Sequence, residues 1–350
     1  MPHCLIIADD LTGALDSAVA FAQTGRRVLV ARRISALPDV LRSAPDVVAV
    51  NTQSREIPAG IAAGRVDEVL RALEPADIPV VLKKVDSRLK GNVAAETRAA
   101  ARALPGRSVV AIPAIPDMGR VQREGILSGE GIAEPIVIAN RFDQPIEVPD
   151  ALEQDALNRL VAARRDAVLW VGARGLAVAL ARQGADPSAA ALPFLNAPLV
   201  IASGSRDPVT LSQFAQLREL GPVVEAPDGN PEAALPEGPL AMVTISDGGG
   251  GLDGAVAGAR FAKALALELR RRRPASLLVT GGETANQLLD QLGVDTVEVL
   301  AEFRPGVPLC RIETPWGSVR LLTKSGGFGG PALLREIANE LRETCDGDGK

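Results

Sequence analysis

The chain has no tyrosine and a single histidine in 350 residues, and its aromatics total 3%. So few rings leave little surface on which exposed bases could stack, which argues against a nucleic-acid partner. His3 immediately precedes the first apolar run and reads as structural or exposed. With no second histidine, a Ser-His-Asp relay is not expected. Cys4, Cys310 and Cys345 are odd in number, far apart and outside any CxxC spacing, so neither a disulfide framework nor a zinc site follows, and no protein-held metal is expected. No apolar run approaches the ~20 residues of a membrane span, and the run inside MPHCLIIADD is too short for a signal peptide. The expectation is a soluble, cytoplasmic protein with no membrane partner. The net charge of −5 provides no global basic field, so an anionic ligand must be held by local groups. Two nucleotide signatures are also missing: there is no GxxxxGK[ST], and no GxGxxG follows the first strand.

What is present is the composition of a globular protein, 47% hydrophobic and 23% charged, at a length that suits two domains. Apolar strands alternate with small or polar turns and helices. CLIIA (4–8) leads into a helix with apolar positions Leu11, Ala14, Leu15, Ala18, Val19 and Ala22, closed near Gly25. Strands are expected at 27–31, 47–51, 79–85, 109–113 and 168–172, with helices near 37–43 and 93–104. The low-charge stretch GADPSAAALPFLNAP (184–198) reads as a linker. A second series follows, with strands at 199–202, 241–246, 276–280 and 319–323. Its helices run from Pro208, up to Arg270–Arg273, over Glu283–Leu292 and from Pro331. Strand–helix alternation of this kind predicts an α/β fold of two domains, each a mostly parallel sheet flanked by helices. The expected domains are 1–190 and 199–345.

Two adjacent acids, Asp9 and Asp10, stand where the first buried strand meets its helix. Such a placement is costly unless the acids meet a cation, a metal or a substrate hydroxyl. KKVDSRLKGN (83–92) gathers Lys83, Lys84, Arg88 and Lys90 around Asp86 after another strand, with Asn92 placed to cap the following helix. Cations at a helix N-terminus oppose its dipole, and a bound anion would relieve the conflict. IPAIPDMGRVQREG (112–125) brings Asp117, Arg120, Gln122 and Arg123 to a loop whose role, contact or connection, is open. In the second half three strand-to-helix turns share one design: Ser203-Gly204-Ser205, Gly281-Gly282-Glu283-Thr284 and Lys324-Ser325-Gly326-Gly327-Phe328-Gly329-Gly330. Parallel strands bring such turns to one sheet edge, where helix N-termini and glycine amides can hold phosphate. A nucleotide is the natural ligand. Pro208 and Pro331 fit the first helical position. DGGGG (247–251) reads equally well as a plain loop.

Together these segments resemble the four-carbon acid sugar kinase family. The resemblance rests on ADDLTGALDSAVAFAQTG (8–25), KKVDSRLKGN, the P-A-x-P-x-x-G-R pattern at Pro113–Arg120, SGS (203–205), GGETA (281–285) and KSGGFGG (324–330). It implies ATP-dependent phosphorylation of a tetronate such as threonate, erythronate or 3-oxotetronate at the C4 hydroxyl, with Mg²⁺ arriving on ATP. It implies an acid-sugar domain followed by a nucleotide domain, with the active site in the cleft between them. Asp10 and Asp86 are then the candidate catalytic residues. Asp9, Thr12, Lys84, Ser87, Arg88, Asn92 and Arg120 are the candidate substrate ligands. Ser203, Ser205, Gly281, Gly282, Glu283, Thr284, Ser325, Gly326, Gly327 and Gly329 would hold the nucleotide. The sugar acid and ATP are the expected partners, with a homodimer open to the chain. Arg88 and Lys90 depart from the family's more usual D-S-T-L-R-G-N, and the chain is shorter than the resemblance implies, around 130–200. Two rival readings use the same residues: a phosphatase or aldolase acting on sugar acid phosphates, and a non-catalytic sensor of nucleotide and metabolite.

Overall fold

The computed structural model describes residues 1–73, 77–183 and 194–347, those from 342 onward by their backbone. Two compact units divide the chain, Met1–Ala191 and Leu192–Lys350. Most of the expected linker, residues 184–193, lies outside the described residues. Its end is anchored in the second unit, where Leu195 is buried in the core and Phe194 lies under the Arg320 guanidinium, 4.1 Å from the ring centre.

The first unit runs β1 (Cys4–Ala8), α1 (Leu11–Ala22), β2 (Val28–Ala31), α2 (Leu37–Arg42), β3 (Val47–Asn51), α3 (Ala59–Arg71), β4 (Val80–Lys84), α4 (Val93–Ala103) and β5 (Ser108–Ile112). Then come β6 (Arg120–Arg123), β7 (Ile126–Gly129), β8 (Ile136–Val137), α5 (Gln154–Ala163), β9 (Val168–Gly172) and α6 (Arg174–Ala181). Six of the strands form one parallel sheet in the order β2-β3-β1-β4-β9-β5. Strands covered on both faces read as continuous apolar runs, and β1, β2 and β3 are buried at every position. Helices α1, α5 and α6 pack together, as do α3 and α4. Because β2 and β3 lie to one side of β1 and β4 to the other, the strand order reverses at β1, the point where open parallel sheets bind ligands beyond their C-terminal ends.

The second unit runs β10 (Leu199–Ser203), α7 (Pro208–Leu217), β11 (Val223–Pro227), β12 (Leu240–Ser246), α8 (Gly254–Arg272), β13 (Ser276–Thr280) and α9 (Gly282–Leu292). It ends with β14 (Thr296–Arg304), β15 (Val307–Thr314), β16 (Gly317–Lys324) and α10 (Leu333–Gly347). Strands β11-β12-β10-β13-β16 are parallel. The order reverses at β10, so its turn and that of β13 flank a second ligand edge. Strands β14, β15 and β16 form an antiparallel meander, where the sequence had suggested one parallel strand at 319–323. Along β14 buried and half-buried residues alternate, as a period-2 strand requires. Pro331 does not open α10 as expected: the Leu333 amide donates to Gly330 O at 3.2 Å, so the proline lies inside a turn that precedes the helix.

Successive side chains on β4 point to opposite faces, which separates Lys83 from Lys84. Lys83 was expected among the cations of a ligand turn. Instead it is fully buried, its Nζ 2.9 Å from Glu96 Oε2 on α4 and donating to Lys84 O at 2.7 Å. The pair fixes α4 to the sheet. Glu96→Ala should therefore leave an uncompensated buried ammonium and cost about 3–5 kcal/mol in urea unfolding. Replacing both partners with Lys83→Met and Glu96→Leu should restore most of that loss. A single variant as stable as the parent would show that the pair does not anchor the helix.

Candidate functional site

Asp9 and Asp10 follow β1 directly, and a residue the sequence reading overlooked joins them. Arg55 donates from Nε to Asp9 Oδ2 at 2.8 Å, from Nη2 to Asp9 Oδ1 at 2.9 Å and from Nη1 to Asp10 Oδ2 at 2.8 Å. A planar guanidinium is suited to such a fork. The loop after β3 delivers it. Ser54 N donates to Asp9 O and Thr52 Oγ1 to Ala8 O, both at 2.9 Å, so the chain past β3 is stitched to the end of β1. The available signal was NTQSRE (51–56), a polar stretch carrying one arginine at the end of a buried strand.

The two acids have different environments. The Asp9 side chain is 3% exposed and that of Asp10 is 31%. Burial would push the Asp9 carboxyl up, but Arg55 and the charges of Lys83 and Lys84 outweigh it and hold the group below the usual carboxylate range. Burial pushes Asp10 above that range; the Asp9 charge adds to the effect, against Arg55, Lys84 and the Gly13 amide. Asp10 Oδ1 also accepts the Gly13 N–H at 2.8 Å and so caps α1. Gly13 leaves room for both charged tips: a β-carbon would lie 2.5 Å from Asp10 Oδ1 and 3.0 Å from Lys84 Nζ, and would push them aside. That places the nearly buried Lys84 beside Asp10, with its ammonium donating to Val85 O at 2.9 Å.

Beyond β4, Asp86 Oδ1 accepts the Arg88 amide at 2.9 Å and the Lys90 amide at 3.3 Å, holding the turn in shape. Arg88 and Lys90 are exposed, and Ser87 is half-buried. Arg120 Nη1 reaches Ser87 Oγ at 2.5 Å, while its Nε and Nη2 donate to Glu130 O at 3.0 and 2.7 Å. Burial and the nearby Arg88 charge lower the Arg120 pKa. Two guanidiniums thus repel beside a serine and Asp86, and an anion would relieve them. Arg120 starts a three-stranded antiparallel sheet, β6-β7-β8, where the sequence suggested only a loop. Its neighbour Gln122 is buried and donates to Pro149 O at 2.5 Å, away from these groups. Asn92 holds the N-cap position of α4 without capping it: Nδ2 donates at 2.8 Å to Ser54 O and to Ile57 O, bracing the Arg55 loop. Thr12 is half-exposed on the first turn of α1.

In the second unit the three glycine-bearing turns meet. Gly281 N donates to Lys324 O at 2.9 Å. A β-carbon on Gly204 would lie 2.2 Å from Thr284 Oγ1, and one on Gly326 2.3 Å from Ser205 Oγ. Ser203 Oγ accepts the Ser205 amide at 3.1 Å, Ser205 Oγ the Asp207 amide at 3.2 Å, and Asp207 caps α7 through Val209 N at 2.9 Å. Pro208 opens α7 as expected. Gly281 and Gly329 have φ of +100° and +87°, a region that favours glycine. Gly282 and Glu283 begin α9, with Glu283 exposed and accepting from Gln287 at 2.8 Å. Ser325, Gly327 and Gly329 are exposed. Lys324, not among the expected ligands, is buried beneath them. Gly248 N donates to Asp228 Oδ1 at 3.2 Å, so the DGGGG run is tied down by a side chain. Among the described residues no group of three or more His, Cys, Asp or Glu is gathered to hold a metal ion, and no helix is long and apolar enough to cross a membrane.

Comparison with known proteins gives concordant matches. The family model of a sugar-binding N-terminal domain matches residues 4–137, and that of a nucleotide-binding C-terminal domain matches 250–334. A D-threonate kinase of Cupriavidus necator is 30% identical across 97% of this chain and 98% of its own length. A D-threonate kinase of Bordetella bronchiseptica is 29% identical, covering 98% of each. A 3-oxo-tetronate kinase of Methylobacterium radiotolerans is 27% identical, covering 93% of this chain and 96% of its own. These alignments run over more positions than this chain has residues, so the relatives carry insertions. The fold is shared with a solved Salmonella typhimurium protein described as a putative tRNA synthase (TM-score 0.80, 23% identity, covering 96% and 99% of the two chains). It is shared also with a Haemophilus influenzae protein (TM-score 0.72, 20% identity, covering 96% and 100%).

Arg55 is the group whose loss the first-unit cluster should tolerate least. Arg55→Met leaves the Asp9 carboxylate buried and unforked, with an expected cost of about 3–5 kcal/mol at pH 7. Arg55 depresses the Asp9 pKa, so the stability it provides is present above the unfolded value and lost as pH falls through the folded one. The gap between parent and variant in urea midpoint should therefore narrow on acidification. A gap that stays constant with pH would place the loss elsewhere than in the Asp9 ion pair.

Proposed function

The chain belongs to the four-carbon acid sugar kinase family and is a sugar acid kinase; on that premise we propose that it transfers the γ-phosphoryl group of ATP to the C4 hydroxyl of a tetronate, with D-threonate the first substrate to test. The observation that carries the reading is the divided acid pair. Asp9 spends both oxygens on Arg55, whereas Asp10 is more exposed and proton-avid. Asp10 is the better of the two candidate catalytic acids because its carboxyl is held above the usual carboxylate range, even with Oδ1 capping α1 and Oδ2 meeting Arg55. In this scheme Asp10 accepts the hydrogen bond of the C4 hydroxyl and takes its proton as that oxygen bonds to the γ-phosphorus and the bridge to ADP breaks. A loose transition state asks mainly for positioning and charge neutralisation. Lys84 steadies Asp10 from below. Arg88 and Arg120 hold the substrate carboxylate, with Ser87 and Thr12 offered to its hydroxyls.

The donor side is supplied by backbone. Gly281–Thr284, Ser325–Gly329 and the hydroxyls of Ser203 and Ser205 would bind the phosphates and ribose of ATP. Such turns offer amides and hydroxyls rather than a carboxylate cage, which suits Mg²⁺ carried in by the phosphates and held by their oxygens and water. When bound, the cation neutralises charge on the transferring group.

A coupled ADP-release screen across D-threonate, D-erythronate and 3-oxotetronate tests the reaction, and ³¹P–¹H correlation of the product locates the phosphate. Asp10→Asn should lower kcat by roughly 10²–10⁴-fold while ATP affinity is kept, and the parent's acid limb should fall above the usual carboxylate range. Full turnover in that variant would remove Asp10 from the chemistry. Gly326→Ala, which crowds Ser205 Oγ, should instead raise the KM for ATP by about 5- to 100-fold, equivalent to about 1–3 kcal/mol of overpacking. An unchanged KM would put the phosphates elsewhere.

A further inference from the structure

The turn Lys324–Gly330 is wound around a buried cation. Lys324 ends β16 with 1% of its surface exposed, and its Nζ donates to Ser325 O at 2.7 Å, Gly326 O at 3.2 Å and Phe328 O at 3.0 Å. An ammonium has three donors, and all three are spent on this turn. Helix α7 draws on two of those carbonyls and one more: Thr210 Oγ1 donates to Gly326 O at 2.7 Å, and Gln213 Nε2 to Phe328 O at 3.1 Å and to Gly330 O at 2.9 Å. In a trans peptide the N–H points opposite to the C=O of the same plane. Carbonyls 325, 326 and 328 turned inward therefore turn the amides of Gly326, Gly327 and Gly329 away from the ammonium. Those amides have no hydrogen-bond acceptor among the described residues. Three outward N–H groups in one turn make an anion-binding concavity.

We infer that Lys324 is a positioning residue: its protonated ammonium templates the phosphate-binding face of this turn, so that ATP binds to the lysine-charged form and loses affinity when the lysine is neutral. The inference rests on the nucleotide reading given above. A neutral amine keeps two N–H groups and presents a lone pair to the remaining carbonyl, so the three-carbonyl arrangement holds only with the charge.

The charge is labile. Burial pushes the Lys324 pKa down to about 8, against the opposing pull of Asp207 at the N-terminus of α7. The other side chains that α7 brings to the turn, Thr210 and Gln213, are neutral. Glu283 on α9 is exposed and bonded to Gln287. Phosphate bound outside the turn would raise the pKa, so ATP binding takes up a proton, and affinity falls as pH rises from about 8 toward the raised value. Stability runs the other way. With a folded pKa below the unfolded value of ~10.4, the folded free protein binds fewer protons in that window, and Lys324 makes it more stable as pH rises. Alkaline unfolding would therefore not mimic the loss of ATP.

The test is Mg-ATP titration calorimetry on the full chain from pH 7.5 to 9.5, where the nucleotide's terminal phosphate is already ionised. The parent Kd should rise about tenfold or more across that range, given a slope of at most tenfold per pH unit. Lys324→Met should bind weakly with a flat profile, while tetronate binding, measured separately, stays within about twofold of the parent. A pH-independent parent Kd, or parent-like ATP affinity in Lys324→Met, overturns the inference and leaves the nucleotide site standing. If the variant does not fold, the parent profile decides. Absence of ATP binding by the parent at pH 7.5 would instead overturn the nucleotide reading, and this inference with it.

Discussion

One guanidinium shared by two carboxylates organises the ligand edge of the first unit. Adjacent acids at the end of a buried strand repel each other and lose hydration, and neither loss is tolerable without a cation. Arg55 resolves the conflict unequally. Its fork closes on Asp9 and only one nitrogen is left for Asp10. The inequality separates the two carboxyls electrostatically, one depressed and one raised, so that two identical side chains come to suit different roles. Much of the surrounding structure keeps that arginine in place. The backbone of Ser54 is tied to Asp9, the Asn92 amide braces the loop from behind, and Gly91 packs against it, where a β-carbon would meet Arg55 Cγ at 3.3 Å.

The consecutive lysines of β4 follow from the same constraint. Pleating sends one to each face, and each needs a different partner. Lys83 finds Glu96 in the α4 layer and becomes a structural strut. Lys84 emerges beneath Asp10 on the α1 side, where its charge helps a carboxylate remain ionised next to another. A two-residue repeat of one side chain thus yields one group for the fold and one for the site. A count of cations along the chain does not separate the two.

Much of the architecture was legible in residue order. Buried parallel strands are continuous apolar runs, so β1, β3, β9, β10 and β13 stand out, and the turns after them mark the ligand edges by topology alone. What escaped was carried by other signals. Helix α3 has two glycines and an apolar stripe of only Ala62, Val66, Val69 and Leu70, too thin to announce a helix. Strand β14 alternates polar and apolar residues and sits in an antiparallel meander, outside the pattern that revealed its neighbours. Arg55 was missed because only a short polar loop marks it locally; its importance comes from 45 intervening residues folding it back on Asp9. Asn92 was misjudged for the converse reason. Its position before a helix was correct, but capping is decided by where the amide points.

The two units solve opposite electrostatic problems at equivalent places in their sheets. At the β1 edge the chain supplies net side-chain charge, acids with their arginine and lysines, and so can discriminate among small polar molecules by fixed directional contacts. At the edge formed by β10, β13 and β16, glycines replace side chains where the backbone itself must approach. Positive potential there comes from amides, with the exposed Arg206 of the β10 turn beside them, 3.9 Å from Asp228 Oδ1. Lys324, buried beneath that edge, turns its ammonium to the carbonyls of its own turn and, in the proposed arrangement, orders the amides instead of meeting the anion. On the proposed function, an arrangement of that kind holds phosphate without presenting a mobile ammonium to the transferring group, and it leaves the recognition of a particular sugar acid to the first unit.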